Sequence, residues 1–264
     1  MDIFQTIILG LVQGLTEFLP ISSSAHLVLI PKLSGLKDQG LAYDVVLHFG
    51  TLCAIVYYYR CSLLSMSKSF FCSLQTKRLE GDASLAWAVL LGTLPVGLAG
   101  FFFKNDISIN LRSVEVIAFT TIFFGLLLGF SDWLNRRMKM VRDMIRPSDV
   151  LIIGCFQVLA LIPGTSRSGI TISAALLVGL SRQMSIKFSF LLAIPVITLA
   201  TMVKLFDLVN GYSEVDWLML VLGFFISATT AYATVVFFVR LVDRIGFLPF
   251  VVYRILLGAL LLLF

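Results

Sequence analysis

Residues 17–26 read E-F-L-P-I-S-S-S-A-H. They place a carboxylate, a proline, three serines and an imidazole between two apolar runs, I-I-L-G-L-V (7–12) and L-V-L-I-P (27–31). A second stretch, P-G-T-S-R-S-G (163–169), interrupts the apolar segment 148–180 in the same way. In hydrocarbon a helix can break only where the freed backbone groups are buried in protein or line a polar cavity. An ionisable side chain there costs about 2.5–3.5 kcal/mol on the lenient insertion scale. Glu17, His26 and Arg167 all fall at the two breaks, so the breaks read as a site rather than as faults in two spans.

Composition sets that reading in a membrane. The 264 residues are 59% hydrophobic and 13% charged, with a mean hydropathy of +0.99. A soluble domain sits near half apolar and a quarter charged. No long polar segment is left for a separate soluble domain, so residues 1–264 form one integral membrane domain. The net charge of +5 gathers in a few loops, which is the positive-inside bias and not a nucleic-acid footprint. The start, M-D-I-F-Q-T, lacks the basic region of a signal peptide. Cys53, Cys61, Cys72 and Cys155 show no C-x-x-C spacing, which points to apolar packing.

A crossing helix needs about 20 apolar residues. Segments 43–59, 84–103, 114–133, 188–206, 217–239 and 248–264 qualify or nearly do, whereas 3–30 and 148–180 are broken in the middle. Loops 60–83, 134–149 and 240–247 are basic and read as cytoplasmic; loop 207–216 holds Asp207, Glu214 and Asp216 and reads as external. Counting crossings, 148–187 begins and ends inside and 1–42 begins and ends outside. Each arm about the second break is too short for a full crossing, so both broken segments read as re-entrant hairpins entering from opposite faces. The expected fold is an all-α polytopic membrane protein: six transmembrane helices plus two re-entrant helical hairpins in an inverted-topology repeat, 1–133 and 148–264.

Internal similarity supports the repeat. G-L-V-Q-G-L-T-E-F-L-P-I-S-S-S (10–24) resembles G-C-F-Q-V-L-A-L-I-P-G-T-S-R-S (154–168), with a one-residue slip before the proline. L-L-G-T-L-P-V-G-L-A (90–99) resembles L-L-A-I-P-V-I-T-L-A (191–200), with Pro95 and Pro195 as matched kinks. Inverted repeats with broken helices place a site at the repeat interface.

The chemistry follows from residue types. Gln13 and Glu17 are at i and i+4 on one helical face, and Pro20 ends that helix. Ser22, Ser23 and Ser24 suit the N-cap of the next helix; Thr165 or Ser166 does the same after Pro163-Gly164. Each tip then offers helix N-terminal N–H groups to an anion. Arg167 adds a planar fork suited to phosphate. The serines also read simply as caps, and Glu17–Arg167 as a structural bridge. His48, inside a span with no motif around it, reads as a packing residue, and Asp44 as a carboxylate suited to a helix start.

Q-G-L-T-E-F-L-P-I-S-S-S-A-H (13–26) and P-G-T-S-R-S-G-I-T-I-S (163–173) resemble the two signature motifs of bacterial undecaprenyl-pyrophosphate phosphatases, the bacitracin-resistance family. The resemblance extends to F-S-F-L-L-A-I-P (188–195) and the C-terminal Y-R (253–254). It implies hydrolysis of undecaprenyl diphosphate to undecaprenyl phosphate in the bacterial cytoplasmic membrane, with the site open to the external side. It also implies a divalent cation, Mg2+ or Ca2+, and an isoprenoid lipid diphosphate as substrate among membrane lipids. Where the family has glutamate or glutamine, this chain has Gln13, which argues against an anionic ligand there. By the resemblance Glu17 would hold the cation or orient water, with Gln13 supporting it. Ser22, Thr165, Ser166, Arg167, Ser168 and Gly169 would bind phosphate. Ser23 and His26, at i and i+3, would act together, with attack by serine, histidine or water left open. A transporter or flippase of the lipid carrier or of a small anion is the alternative reading, and a structural membrane protein a third; self-association is left open.

Overall fold

The computed structural model describes residues 3–27, 40–111, 113–209 and 216–263. Helix α1 is Ile3–Thr16, and α2 opens at 23 and is described to 27. There follow α3 (Leu41–Tyr58), α4 (Arg60–Thr76), α5 (Ala83–Asn110), α6 (Val114–Arg137), α7 (Pro147–Val158) and a 3-10 turn at Leu159–Leu161. The chain closes with α8 (Arg167–Leu177), α9 (Arg182–Val209), α10 (Trp217–Ile245) and α11 (Leu248–Leu261). Helices satisfy their backbone groups internally, as lipid demands. Among the described residues the one β contact is an isolated bridge, Arg142 to Leu180. Large apolar side chains face outward, Phe101, Phe102, Phe119 and Phe123 among them, as they would toward lipid and not toward water.

The expected breaks are where the sequence puts them. α1 stops before Glu17 and α7 before Pro163. Four helices, α5, α6, α9 and α10, are long and apolar enough to cross a bilayer; Ala42–Tyr58 and Leu248–Leu261 are shorter. The chain is thus an all-helical polytopic membrane protein. Several sequence boundaries need correction. Segment 60–83, expected as a loop, is mostly helix α4, whose serine- and lysine-bearing faces stay largely exposed. It is held to α5 by Trp87 Nε1 donating to Ser73 Oγ (3.1 Å) and by the Phe70–Trp87 ring contact. Segment 240–247 is chiefly the last turns of α10, which ends at Gly246. α9 begins at Arg182, ahead of the expected 188. The similar segments 90–99 and 191–200 lie on α5 and α9, which hold different places in the order after each break and pack on one another. The tails of the expected first hairpin and acidic loop, 28–39 and 210–215, lie outside the described residues.

Packing crosses between the halves. α1 lies along α10, and α7 lies along α5. Small residues allow the approach. A Cβ on Gly14 would stand 2.8 Å from the Ser227 carbonyl oxygen, and one on Gly154 2.9 Å from that of Gly92. Such backbone-to-backbone contact is how helices pair when lipid is as apolar as their side chains. α3 and α9 meet in the middle and α6 pairs with α11. At the far end of α8 the carbonyls of its last turn and of the residues just beyond find partners from the end of α6 and the basic segment after it. Asn135 Nδ2 donates to Leu176 O and Leu180 O (2.9 and 3.0 Å), and Arg142 to Val178 O (2.5 Å). Arg142 in turn is held by Asp149 at 2.9 Å.

Replacing Gly14 with valine should lower the thermal midpoint of the detergent-purified protein, at a cost of about 1–3 kcal/mol for overpacking. Gly97→Ala, whose added Cβ would meet only Leu199 Cδ1 at 3.9 Å, should leave it unchanged. A differential melt of the two variants checks this.

Candidate active site

Glu17 sits just past the last turn of α1. Its neighbour Phe18 is fully buried and edge-on to Phe190, ring centroids 5.3 Å apart, which anchors the break in the core. One turn back, Gln13 Nε2 donates to Glu17 Oε2 at 2.9 Å, as the i, i+4 spacing foretold. Ser23 Oγ donates to the same oxygen at 2.8 Å. The other oxygen, Oε1, accepts from Arg167 Nη2 at 3.1 Å. The two breaks therefore meet through a carboxylate and a guanidinium whose side chains are 7% and 11% exposed. Arg167 Nη1 reaches only the Ser189 carbonyl, at 3.4 Å.

The tips share an unusual backbone. Ser22 and Ser166 both adopt positive φ, 72° and 69°, at a cost of order 1–3 kcal/mol each for a non-glycine residue. Each contacts the serine two residues on, Ser22 with Ser24 and Ser166 with Ser168, Oγ to Oγ 3.2 Å. Gly164 has φ 90° and its Cα faces α6, where a Cβ would lie 2.6 Å from the Ile117 carbonyl oxygen. Arg254 of α11, fully buried, closes the arrangement. It donates to Pro20 O (3.3 Å) at the first break, Gly164 O (2.9 Å) at the second, and Thr121 O (3.0 Å) on α6. Thr120 Oγ1 adds a bond to Pro163 O at 2.6 Å, and Ser168 Oγ joins the tips directly through Leu19 O at 3.0 Å.

A cavity of about 220 Å³ opens in front of these residues. Glu17, Ser22, Ser23, Ser24, His48, Ser166 and Arg167 form its polar end, and Val45, Val96, Val196 and Ile197 an apolar wall. The structure thus brings Glu17, Gln13, Ser23 and Arg167 together. It does not bring His26 to Ser23. His26 is buried away from the cavity lining, with Nδ1 2.7 Å from Ser22 O and Nε2 2.6 Å from the Tyr253 hydroxyl. The pairing expected from the i, i+3 spacing fails because Ser23 turns to Glu17. The phosphate cradle is also narrower than expected. Thr165 N–H is spent on Ile162 O and Gly169 N–H on Ser166 Oγ, so Ser166 is the N-cap of α8. Thr165 and Ser168 are fully buried behind the cavity. Arg167 and Ser168 remain as the first amides of α8, which helix geometry leaves without intrahelical acceptors.

His48, read from the sequence as packing, belongs to this site. Its Nδ1 lies 2.8 Å from Gln13 Nε2 and 3.4 Å from Glu17 Oε2. The available signal was an ionisable residue inside a span. Arg254 was visible only as part of the Y-R resemblance. Segment 154–168, which resembles 10–24, carries Gln157 in the place of Gln13 but Leu161 in the place of Glu17, so the second break has no counterpart of the Glu17 carboxylate. Among the described residues no group of three His, Cys, Asp or Glu could cage a metal. Gln13 Oε1 is nonetheless buried without a partner beside Glu17. One carboxylate and one amide oxygen fit a hard cation that takes its remaining ligands from water and phosphate.

Residues 6–260 match the family described as Bacitracin resistance protein BacA. The chain is 54% identical over 261 residues to an undecaprenyl-diphosphatase of Vesicomyosocius okutanii, covering 99% of each chain. It is 54% identical over 264 residues to undecaprenyl-diphosphatase 2 of Stutzerimonas stutzeri, covering 99% of this chain and 98% of that one. An undecaprenyl-diphosphatase of Nitrosococcus oceani is 51% identical over 261 residues, at 99% and 98% coverage.

Arg254→Met should strip hydrogen bonds from buried carbonyls at both breaks and destabilise the protein by about 3 kcal/mol or more. Loss of the thermal midpoint in detergent, with Glu17 and Arg167 intact, is the readout.

Proposed function

The chain belongs to the bacitracin resistance protein family, and from that premise we propose that it hydrolyses undecaprenyl diphosphate to undecaprenyl phosphate and inorganic phosphate. The observation that carries the reading is the buried Glu17 carboxylate, engaged at one oxygen by Arg167 of the other break and at the second by a serine hydroxyl, in a cavity with an apolar wall. A lipid diphosphate needs both ends of such a cavity: cation and amides for phosphate, and an apolar surface for the first isoprene units.

Diphosphate cleavage depends on positioning and charge stabilisation. Arg167 presents its Nη1 side, and the first amides of α8, to the phosphate oxygens. Ser23 is the nucleophile the geometry favours. Its O–H already points at Glu17 Oε2, so the carboxylate takes the proton as Oγ attacks the terminal phosphorus. The bond from that phosphorus to the bridging oxygen breaks, and undecaprenyl phosphate leaves with the bridging oxygen. Water then attacks the phosphoserine, releasing phosphate and restoring the Ser23 hydroxyl. Gln13 and His48 hold Glu17 in place, and His26 fixes the serine segment through the Ser22 carbonyl. Glu17 and Gln13 Oε1 would hold a magnesium or calcium ion, which supplies charge neutralisation to the diphosphate when bound.

The finer architecture belongs to the same reading: six spans and two re-entrant hairpins in inverted repeat. The crossed packing of α1 on α10 and α7 on α5 supports it, because an inverted repeat would exchange those two pairs. Basic segments on one side and the acidic 207–216 on the other support a cytoplasmic-membrane location with the site open externally.

The test is phosphate release from a long-chain isoprenyl diphosphate by the purified chain in detergent, with and without Mg2+ or Ca2+. Glu17→Ala, Ser23→Ala and Arg167→Ala should each lower kcat by about 10²–10⁴-fold, the range for loss of a positioned proton-transfer or anion-stabilising group. Wild-type protein trapped in acid should carry phosphoserine that Ser23→Ala lacks. No release from folded wild type, with lipid or anion flux in liposomes instead, would overturn the reading.

A further inference from the structure

The cavity lining includes a second polar pair. Lys204 and Thr201 of α9 line it together with Glu17 and Arg167. They stand at i and i+3 and so share a helical face. Thr201 Oγ1 is buried and has no hydrogen-bond partner among the described residues, an arrangement that costs free energy unless a ligand completes it. Lys204 pairs with no carboxylate among them. The contrast with Arg167 matters, since that guanidinium is already matched by Glu17 at 3.1 Å. Among the described lining residues Lys204 is therefore the unmatched cation of the cavity, and the apolar wall formed by Val196, Ile197 and Ala200 leads up α9 to it. A cation lining a low-dielectric cleft attracts anions into it.

Resting on the phosphatase reading, we propose that Lys204 and Thr201 form a second anion station, which holds one phosphate of the diphosphate while the Arg167 end holds the other. A diphosphate carries its charge on two tetrahedral groups, and a single matched arginine serves one of them. Lysine acts as a point-charge phosphate ligand with rotatable donors, and the threonine hydroxyl supplies a directed hydrogen bond. The station takes the substrate's phosphate on entry and inorganic phosphate on release. It is a substrate-positioning site, distinct from the attacking Ser23.

Steady-state kinetics of the full chain in detergent test it. Lys204→Met should raise KM for a long-chain isoprenyl diphosphate about tenfold, the loss of one charge-assisted hydrogen bond. It should weaken inhibition by inorganic phosphate to a similar degree, with a smaller effect on kcat, and flatten the rise of KM with salt. Lys204→Arg should restore both constants, and Thr201→Val should weaken both more mildly. If KM and phosphate inhibition match wild type in both Lys204→Met and Thr201→Val, the lysine only extends to the membrane interface and the proposal fails. Binding of inorganic diphosphate, measured by calorimetry, separates this outcome from failure of the phosphatase reading. Wild type that binds diphosphate and Lys204→Met that does not would uphold the station even if no phosphate were released. Equal binding by both would overturn it.

Discussion

A single buried guanidinium conditions the rest of the molecule. Each helix break frees carbonyl oxygens in a region where water cannot reach them, and an unsatisfied group there costs several kcal/mol. Arg254 answers both breaks at once, through Pro20 O and Gly164 O, and ties them to α6 through Thr121 O. It has no carboxylate partner among the described residues; its counter-charge is a shell of carbonyl dipoles. Glu17 stands three residues before Pro20 and Arg167 three after Gly164. Neither can move far without straining a bond to Arg254, so the Glu17–Arg167 pair inherits its register from a residue that touches neither of them.

The pair itself is self-neutralising. In a low-dielectric cleft, a carboxylate 3.1 Å from a guanidinium spares each a bare buried charge. Glu17 takes only the Nη2 edge of Arg167, and the Nη1 edge reaches the Ser189 carbonyl at 3.4 Å. The left-handed Ser22 and Ser166 belong to the same logic: they bend the two tips so that hydroxyls and amides, which in a straight helix would face along the axis, face the cavity.

Much of this was legible in the chain. Proline with serines inside apolar runs marked both breaks, the Gln13–Glu17 spacing announced a shared face, and the reading of Glu17–Arg167 as a bridge matches the contact that joins the two tips. What escaped has a common cause. Periodicity reports which face of a helix is polar, not which distant segment meets it. His48 reaches Gln13 across 35 positions and Arg254 reaches Pro20 across 234, and no local pattern encodes those meetings. The Ser23–His26 pairing was misjudged for the converse reason: i, i+3 spacing promises a shared face, but the Tyr253 hydroxyl and the Glu17 carboxylate divided the two side chains. α4 escaped because its mixed polar composition lacks the apolar stripe by which helices are recognised.

The crossed packing has a consequence for how the protein is made. α1 leaves the ribosome first, yet the helix it lies against begins about 200 residues later, which at ordinary elongation rates is roughly ten to forty seconds of synthesis. During that interval the glycine face of α1 has no native partner, and its broken tip has no Arg254 to cover the Pro20 carbonyl. The first half must wait in the membrane as an incomplete object, and α11, made later still than α10, is the helix that locks the first break shut. Truncation of even the final helix should therefore be felt at the opposite end of the chain.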